Sequence, residues 1–227
     1  MSEVGTSGYA EAYASWRADP SAFWGAAAQS LEWSKAPEKV FDPEAGVYGR
    51  WFPDAVGNIC HNALDRHVAA GRGDQAALIY DSPVTGAKRT LPYAQMLKEV
   101  STLAAVLQDL GVGKGDRVLI YMPMVPEAIG AMLACARIGA IHSVVFGGFA
   151  AKELATRIED AEPKVILAAS CGIEPNRVVA YKPLLDLAIS MSAVKPKRCL
   201  VLQRPEGPGS LTEGRDLDWA AACAAAA

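Results

Sequence analysis

Apolar residues at helical spacing alternate with short continuous apolar runs from position 92 onward. The stretch 92–110 repeats apolar residues every three or four positions and ends at Gly111, which predicts an amphipathic helix. Further helices are predicted at 127–138, 152–160 and 184–191, and strands at 118–121, 141–145, 165–169 and 199–202. Continuous Val, Ile and Leu runs are typical of parallel strands buried on both faces. The pattern therefore predicts an α/β fold with a partial parallel sheet and flanking helices.

The first 75 residues do not follow this alternation and contain short helical patterns between irregular stretches. Asp19 before Pro20 is typical of a helix N-cap followed by the first helical position, and an apolar stripe predicts a second helix from Asn58 to Gly71. Residues 76–91 then read as a hairpin around the turn 82–86. We predict an N-terminal helical and irregular segment, 1–75, that wraps around an α/β portion, 76–227.

The last residues predict a helix that begins near Leu217 and runs to Ala227 without a capping glycine. We therefore expect the chain to be a piece of a longer protein. A sheet that stops after four strands would leave an unpaired edge and an exposed apolar face. That arrangement favours either a missing partner half or association into a homo-oligomer.

Charge and hydropathy exclude several classes of protein. The 227 residues carry 22 Lys and Arg against 25 Asp and Glu, a net charge of −3, with no block of like charges, so nucleic acid is not an expected partner. The uncharged run 138–151 is too short and too polar to cross a membrane. The five cysteines are scattered and form no C-x-x-C pair, which indicates reduced thiols, no zinc site and a cytoplasmic location.

Two loops stand out, because ligands of such sheets bind beyond the carboxyl ends of the strands. Phe146, Gly147 and Gly148 follow the second predicted strand, where glycine backbone can approach a ligand and an aromatic ring can face a purine. Glu174 and Arg177 follow the third, where an arginine could grip a phosphate. The alternatives are a tight strand-to-helix turn for the glycines and a solvated side chain for the arginine.

Other candidate motifs fail on spacing or position. The glycine-rich stretch 111–116 precedes a strand, whereas phosphate loops follow one, so we interpret it as a helix cap and turn. His61 and His67 are too far apart to share a metal on one helical face. His142 is interpreted as a hydrogen-bonded core residue. A G-x-G-x-x-G motif that would indicate a nicotinamide dinucleotide site is missing, and no catalytic constellation is visible.

Several longer strings resemble one known family. The strings are Trp51-Phe52 and residues 57–67, 115–124, 134–140 and 142–149. They resemble the N-terminal part of short-chain AMP-forming acyl-CoA synthetases, the acetyl-CoA and propionyl-CoA synthetase branch of the adenylate-forming enzymes, from about Tyr9 to the end. The loop 172–177 is similar to the propionyl-CoA synthetase version, where acetyl-CoA synthetases tend to carry Arg-Ala-Gly-Arg.

The resemblance implies a two-step ligase that uses ATP, Mg²⁺, CoA and a short-chain carboxylate, with propionate favoured and acetate next. By position, Phe146, Gly147 and Gly148 match the family's platform for the CoA nucleotide. Arg177 matches the second arginine of its CoA-binding stretch, and Glu174 takes the place of the first. A carboxylate therefore stands where the family often places a cation for the CoA phosphates.

The resemblance also implies what this chain lacks. The family's phosphate loop, acyl pocket, adenine contacts and catalytic lysine all lie later in the sequence than these 227 residues. We therefore expect no catalytic residue and no metal site in this chain, and no ligase activity from it alone. The alternative hypothesis is a self-standing, non-catalytic module that binds CoA or another protein and derives from the synthetase N-terminus.

Overall fold

The computed structural model describes residues 8–147 and 150–226. The chain divides into two compact units, one that ends at Asn58 and one that begins at Ile59. In the first unit, α1 spans Tyr9–Ala18 and α2 spans Pro20–Ala28. The Asp19 carboxylate accepts a hydrogen bond from the Ala22 N–H at 2.9 Å, which confirms the predicted cap.

Aromatic rings hold the rest of the first unit together. The short strands β1 (Phe41–Asp42) and β2 (Arg50–Trp51) pair antiparallel, so that Phe41 and Trp51 lie opposite each other with ring centroids 4.6 Å apart. The ring centroids of Trp51 and Trp24 lie 6.3 Å apart. Such ring pairs bury large apolar surfaces in a unit that contains little regular structure.

The second unit opens with the helix that was predicted from Asn58 to Gly71. It contains a π-helical turn, His61–Asp65, followed by α3, Arg66–Ala69. Cys60 and Leu64 lie in the core of this unit. The compact units therefore divide after Asn58 and not after residue 75, and the assignment of 1–75 as a wrapping segment stays a prediction.

The remaining elements follow the predicted alternation closely. The hairpin is confirmed as β3 (Ala76–Asp81) and β4 (Lys88–Pro92). The later strands are β5 (Arg117–Met122), β6 (Ile141–Phe146), β7 (Val165–Ala169), β8 (Cys171–Glu174), β9 (Arg177–Ala180), β10 (Arg198–Leu202) and β11 (Asp216–Asp218). The later helices are α4 (Tyr93–Asp109), α5 (Pro126–Ile138), α6 (Ala151–Ala161), α7 (Tyr181–Met191) and α8 (Trp219–Ala226).

The central sheet has the strand order β11-β10-β7-β5-β6, and every pair in it is parallel. Alternate residues of β5 belong to two hydrophobic clusters, one on each face of the sheet. Val118 and Ile120 pack with α4, α5 and α8. Leu119 and Tyr121 pack with α6 and α7. Apolar residues on both faces of one strand require helices on both faces. The predicted α/β fold with a parallel sheet is confirmed.

Three local predictions were wrong. A helix was predicted to begin near Leu217, but residues 216–218 form a fifth strand beside β10, and α8 begins only at Trp219. Residues 170–177 were predicted as a loop, but β8 and β9 form an antiparallel hairpin there. His142 was interpreted as a core residue, but it is exposed because β6 is an edge strand.

Candidate functional site

A cleft of about 560 Å³ lies at the carboxyl ends of β5 and β6. Pro123 and Met124 after β5 form part of its wall, and so do Phe146 and Gly147 at the end of β6. The hairpin β8–β9 contributes Ile173 and Glu174, and β3 contributes Tyr80. The cleft therefore opens where ligands of parallel sheets usually bind.

The structure brings together most of the residues that the sequence singled out. Phe146, a residue that is 72% exposed, lines the cleft together with Gly147 and Glu174. Gly148 lies outside the described residues. Arg177 does not line the cleft, but it faces Glu174 in the register of the β8–β9 hairpin. The two predicted loops thus meet at one site.

Arg177 and Glu174 form a two-point ion pair. The Arg177 guanidinium donates from Nε to Oε2 of Glu174 at 2.8 Å and from Nη2 to Oε1 at 3.4 Å. The hydrogen bond and the charge of Glu174 raise the pKa of Arg177. Because both side chains are largely exposed, the pair contributes little to stability. Its consequence is electrostatic, since Glu174 offsets the positive charge that Arg177 would offer to an anion.

Gly147 and Gly172 have a packing role that the sequence did not reveal. A Cβ at Gly147 would lie 2.7 Å from the Tyr181 ring atoms Cε2 and Cζ, and a Cβ at Gly172 would lie 2.6 Å from Cε1. The ring of Tyr181 therefore occupies the space that both missing side chains leave. On its other side, Tyr181 packs on Tyr121 with ring centroids 5.0 Å apart.

The two tyrosines that pack together, Tyr121 and Tyr181, are hydrogen-bond donors at neutral pH. Burial raises the pKa of Tyr121 to about 12, and its hydroxyl donates to the Gly147 carbonyl at 3.4 Å. Burial also raises the pKa of Tyr181; the charge of Glu174 adds to this effect and that of Arg204 opposes it. A protonated phenol presents an O–H that can donate to an anionic ligand.

Arg204 lines the cleft and was missed by the sequence analysis. It follows β10, and its backbone N–H donates to Oγ of Ser170 at 2.9 Å. Its Nη1 donates to the Cys171 carbonyl at 3.3 Å, which directs the guanidinium along β8. The rule that ligands bind beyond the carboxyl ends of strands applies equally to β10, so its loop carried the signal.

A buried charge cluster supports the wall that carries Tyr181. Lys182, the next residue in α7, is 2% exposed, and its Nζ contacts Asp216 at 2.9 Å and Asp186 at 2.6 Å. Arg215 donates from Nε to Asp216 at 2.6 Å and also contacts Asp186. Burial disfavours the charged form of Asp216, but hydrogen bonds from Arg215, the Thr212 N–H and Lys182 outweigh it and lower its pKa to about 2. The cluster joins α7 to the edge strand β11.

The other chemical candidates are resolved by the structure. The stretch 111–116 is a helix end and turn, as interpreted: Gly111 and Gly115 have positive φ, and the Asp116 carboxylate accepts from the Gly113 N–H at 2.8 Å. Among residues 8–147 and 150–226, no three His, Cys, Asp or Glu side chains cluster as metal ligands would. Within the same ranges, no helix has the length and apolarity required to span a membrane.

Comparisons with known sequences match the chain to two families. The family described as AMP-binding enzyme matches residues 65–221, and that described as acetyl-coenzyme A synthetase N-terminus matches residues 9–63. The chain is 54% identical to the mitochondrial acyl-CoA synthetase short-chain family member 3 of Rattus norvegicus over 89% of this chain and 30% of that protein. It is 44% identical to the acetyl-coenzyme A synthetase of Streptomyces avermitilis over 92% of this chain and 32% of that protein.

A solved structure has the same fold. The acetoacetyl-CoA synthetase from Streptomyces lividans superposes with a TM-score of 0.81 at 25% sequence identity, covering 92% of this chain and 32% of that one. The chain spans about a third of the length of the curated relatives named above.

Proposed function

Since the chain belongs to the AMP-binding enzyme family, we propose that it is the N-terminal part of an AMP-forming acyl-CoA synthetase for short-chain acids. In the parent reaction a carboxylate oxygen attacks the α-phosphorus of ATP, which forms an acyl-adenylate and releases pyrophosphate. The CoA thiol then attacks the acyl carbon, loses its proton, and releases AMP. Propionate is the favoured acid and acetate the next. The five free cysteines support a reducing compartment, and we propose the cytoplasm.

The observation that carries this proposal is the cleft at the carboxyl end of the sheet. Phe146 and Gly147 line it from β6, and the β8–β9 hairpin brings Glu174 and Arg177 to its edge. An exposed aromatic ring suits the adenine of CoA, and cations suit its phosphates. We propose that the CoA nucleotide binds here, and by its place in the sequence Gly148 is included in this proposal.

The ATP and Mg²⁺ steps are assigned to the part of the parent enzyme beyond this chain. The resemblance places the family's phosphate loop and catalytic lysine later in the sequence than these 227 residues. The role proposed for this chain is therefore to bind and orient CoA. The loop 172–177, which resembles the propionyl-CoA synthetase version, is the support for propionate.

Ligase activity separates the proposed role of this chain from that of its parent. We expect the purified 227-residue chain to form no propionyl-CoA or acetyl-CoA from the acid, ATP, Mg²⁺ and CoA, measured by chromatography of the thioester. The matched control is the product of the whole reading frame, which should form both and use propionate with the higher kcat/KM. Thioester above the blank from the chain alone would contradict its inactivity. CoA binding without activity in both proteins would favour the self-standing module.

Glu174 is expected to weaken CoA binding in this chain. The change Glu174→Arg removes the carboxylate that pairs with Arg177 and places two cations at the edge of the cleft. We expect the Kd for CoA, measured by titration calorimetry, to fall about three- to tenfold, in the range of one ordinary net hydrogen bond.

The control for this change is Asp109→Arg, which alters the charge equally at the exposed end of α4. It should leave the Kd for CoA unchanged. An equal gain in both variants would indicate a general electrostatic effect, and no gain in Glu174→Arg would refute the proposed place of the phosphates.

A further inference from the structure

The hydroxyl of Tyr181 has no hydrogen-bond partner among residues 8–147 and 150–226. Tyr181 is only 8% exposed and lines the cleft, yet its hydroxyl makes no hydrogen bond to the residues that the structure describes. Its hydroxyl oxygen is not among the fully buried side-chain atoms that lack a partner in the described residues, so it is accessible from the cleft that Tyr181 lines. Gly147 and Gly172 leave the space that the ring fills, since a side chain at either position would overlap it. A hydroxyl donor at the wall of the cleft, with no acceptor among the described residues, is available to a ligand acceptor.

Arg204 is a second residue of the cleft with hydrogen-bond donors that have no acceptor among the described residues. A guanidinium carries five N–H donors, and the only side-chain hydrogen bond that Arg204 makes within the described residues goes to the Cys171 carbonyl. It forms no ion pair with a carboxylate among residues 8–147 and 150–226. Arg177 differs, because Glu174 already occupies its guanidinium from two directions. Among the described residues that line the cleft, Arg204 is therefore the cation whose remaining N–H donors are available to a ligand.

The chemistry of these donors selects an anion with several oxygens. A planar guanidinium matches the geometry of a phosphate, and a protonated phenol can donate to another oxygen of the same group. Phe146 offers an aromatic face to a base in the same cleft. We propose that Tyr181 and Arg204 bind a phosphate group of the nucleotide that the cleft takes, in place of the cation missing at Glu174. This inference rests on the proposed CoA site.

Two probes that differ only in phosphate test the proposal: adenosine 3′,5′-bisphosphate and adenosine. We expect the 227-residue chain to bind the bisphosphate at least about tenfold more tightly than adenosine in titration calorimetry. Arg204→Gln should weaken the bisphosphate about 10- to 100-fold and Tyr181→Phe about three- to tenfold, with the Kd for adenosine unchanged. Phenylalanine keeps the ring between the two glycines, so it removes the hydroxyl alone.

The control is Arg157→Gln, which removes the same charge from an exposed position on α6 outside the cleft. It should leave both Kd values unchanged. A purely structural role of Arg204 or Tyr181 would weaken both probes alike and would overturn the proposal. Equal affinity of the unaltered chain for the two probes would also overturn it while leaving the CoA site standing. Binding of neither probe would refute the CoA site as well.

Discussion

Asp216→Asn is expected to destabilise the protein by about 3–5 kcal/mol, the usual cost of breaking a buried ion cluster from one side. The Asp216 side chain is 0% exposed and pairs with both Lys182 and Arg215, so an amide would leave a buried ammonium with one carboxylate fewer. The measurement is the free energy of unfolding in urea at pH 7. If the variant does not fold, its loss from the soluble fraction at the same expression temperature reports the same effect.

The control is Asp81→Asn, the same chemical change in an exposed pair. Asp81 contacts Lys88 at 2.8 Å on the surface of the β3–β4 hairpin, with more than half of each side chain exposed. Exposed pairs contribute about 0–1 kcal/mol, so the free energy of unfolding should barely change. Equal effects of the two substitutions would contradict a stabilising role for the buried cluster.

Because of this cluster, the free energy of unfolding is expected to fall at acidic pH. The pKa of Asp216 is about 2 in the folded chain against an ordinary value of 3.8. The folded state therefore holds the charged form more strongly, and the resulting stability is complete above pH 3.8 and is lost as the pH falls toward 2. The shift corresponds to about 2 kcal/mol. The difference between the unaltered chain and Asp216→Asn should accordingly shrink as the pH falls from 3.8 toward 2.

Gly172→Ala is expected to cost about 1–3 kcal/mol of stability and to disturb the cleft. The backbone at Gly172 does not have a positive φ, so the penalty arises from space alone. A Cβ there would meet the Tyr181 ring at 2.6 Å, and the ring is confined on its other side by Tyr121. Chemical denaturation gives the loss of stability, and calorimetry with CoA gives the loss of binding.

Gly130→Ala is the matched control, and it should change the free energy of unfolding in the opposite direction. Gly130 lies inside α5, and a Cβ there would meet nothing within 4 Å. Alanine should therefore stabilise the helix by about 0.5–1 kcal/mol. If steric overlap with Tyr181 is the cause at Gly172, adding Tyr181→Leu to Gly172→Ala should recover part of the lost stability. Strictly additive effects of the two substitutions would refute that cause.

The sequence alone determined the class of fold and the places of most elements. Residues 165–169 form a continuous apolar run, and only a strand covered on both faces buries such a run, so β7 and its flanking helices were predictable. Asp19 and Pro20 set the start of α2 through local hydrogen bonding and a fixed φ, which depend on neighbours in the chain alone. The sequence also identified the residues of one candidate site, namely Phe146, Gly147, Glu174 and Arg177.

Only the tertiary structure decided the features that depend on distant residues. Asp216–Asp218 has no strand signal of its own, and it becomes a strand because β10 offers an open edge and Lys182 and Arg215 neutralise Asp216. Likewise, Gly147 and Gly172 look like turn residues until the ring of Tyr181 is placed between them. Local periodicity carries no information about which remote side chains share a space. The donors of the cleft, Tyr181 and Arg204, could therefore be recognised only once the chain had folded around them.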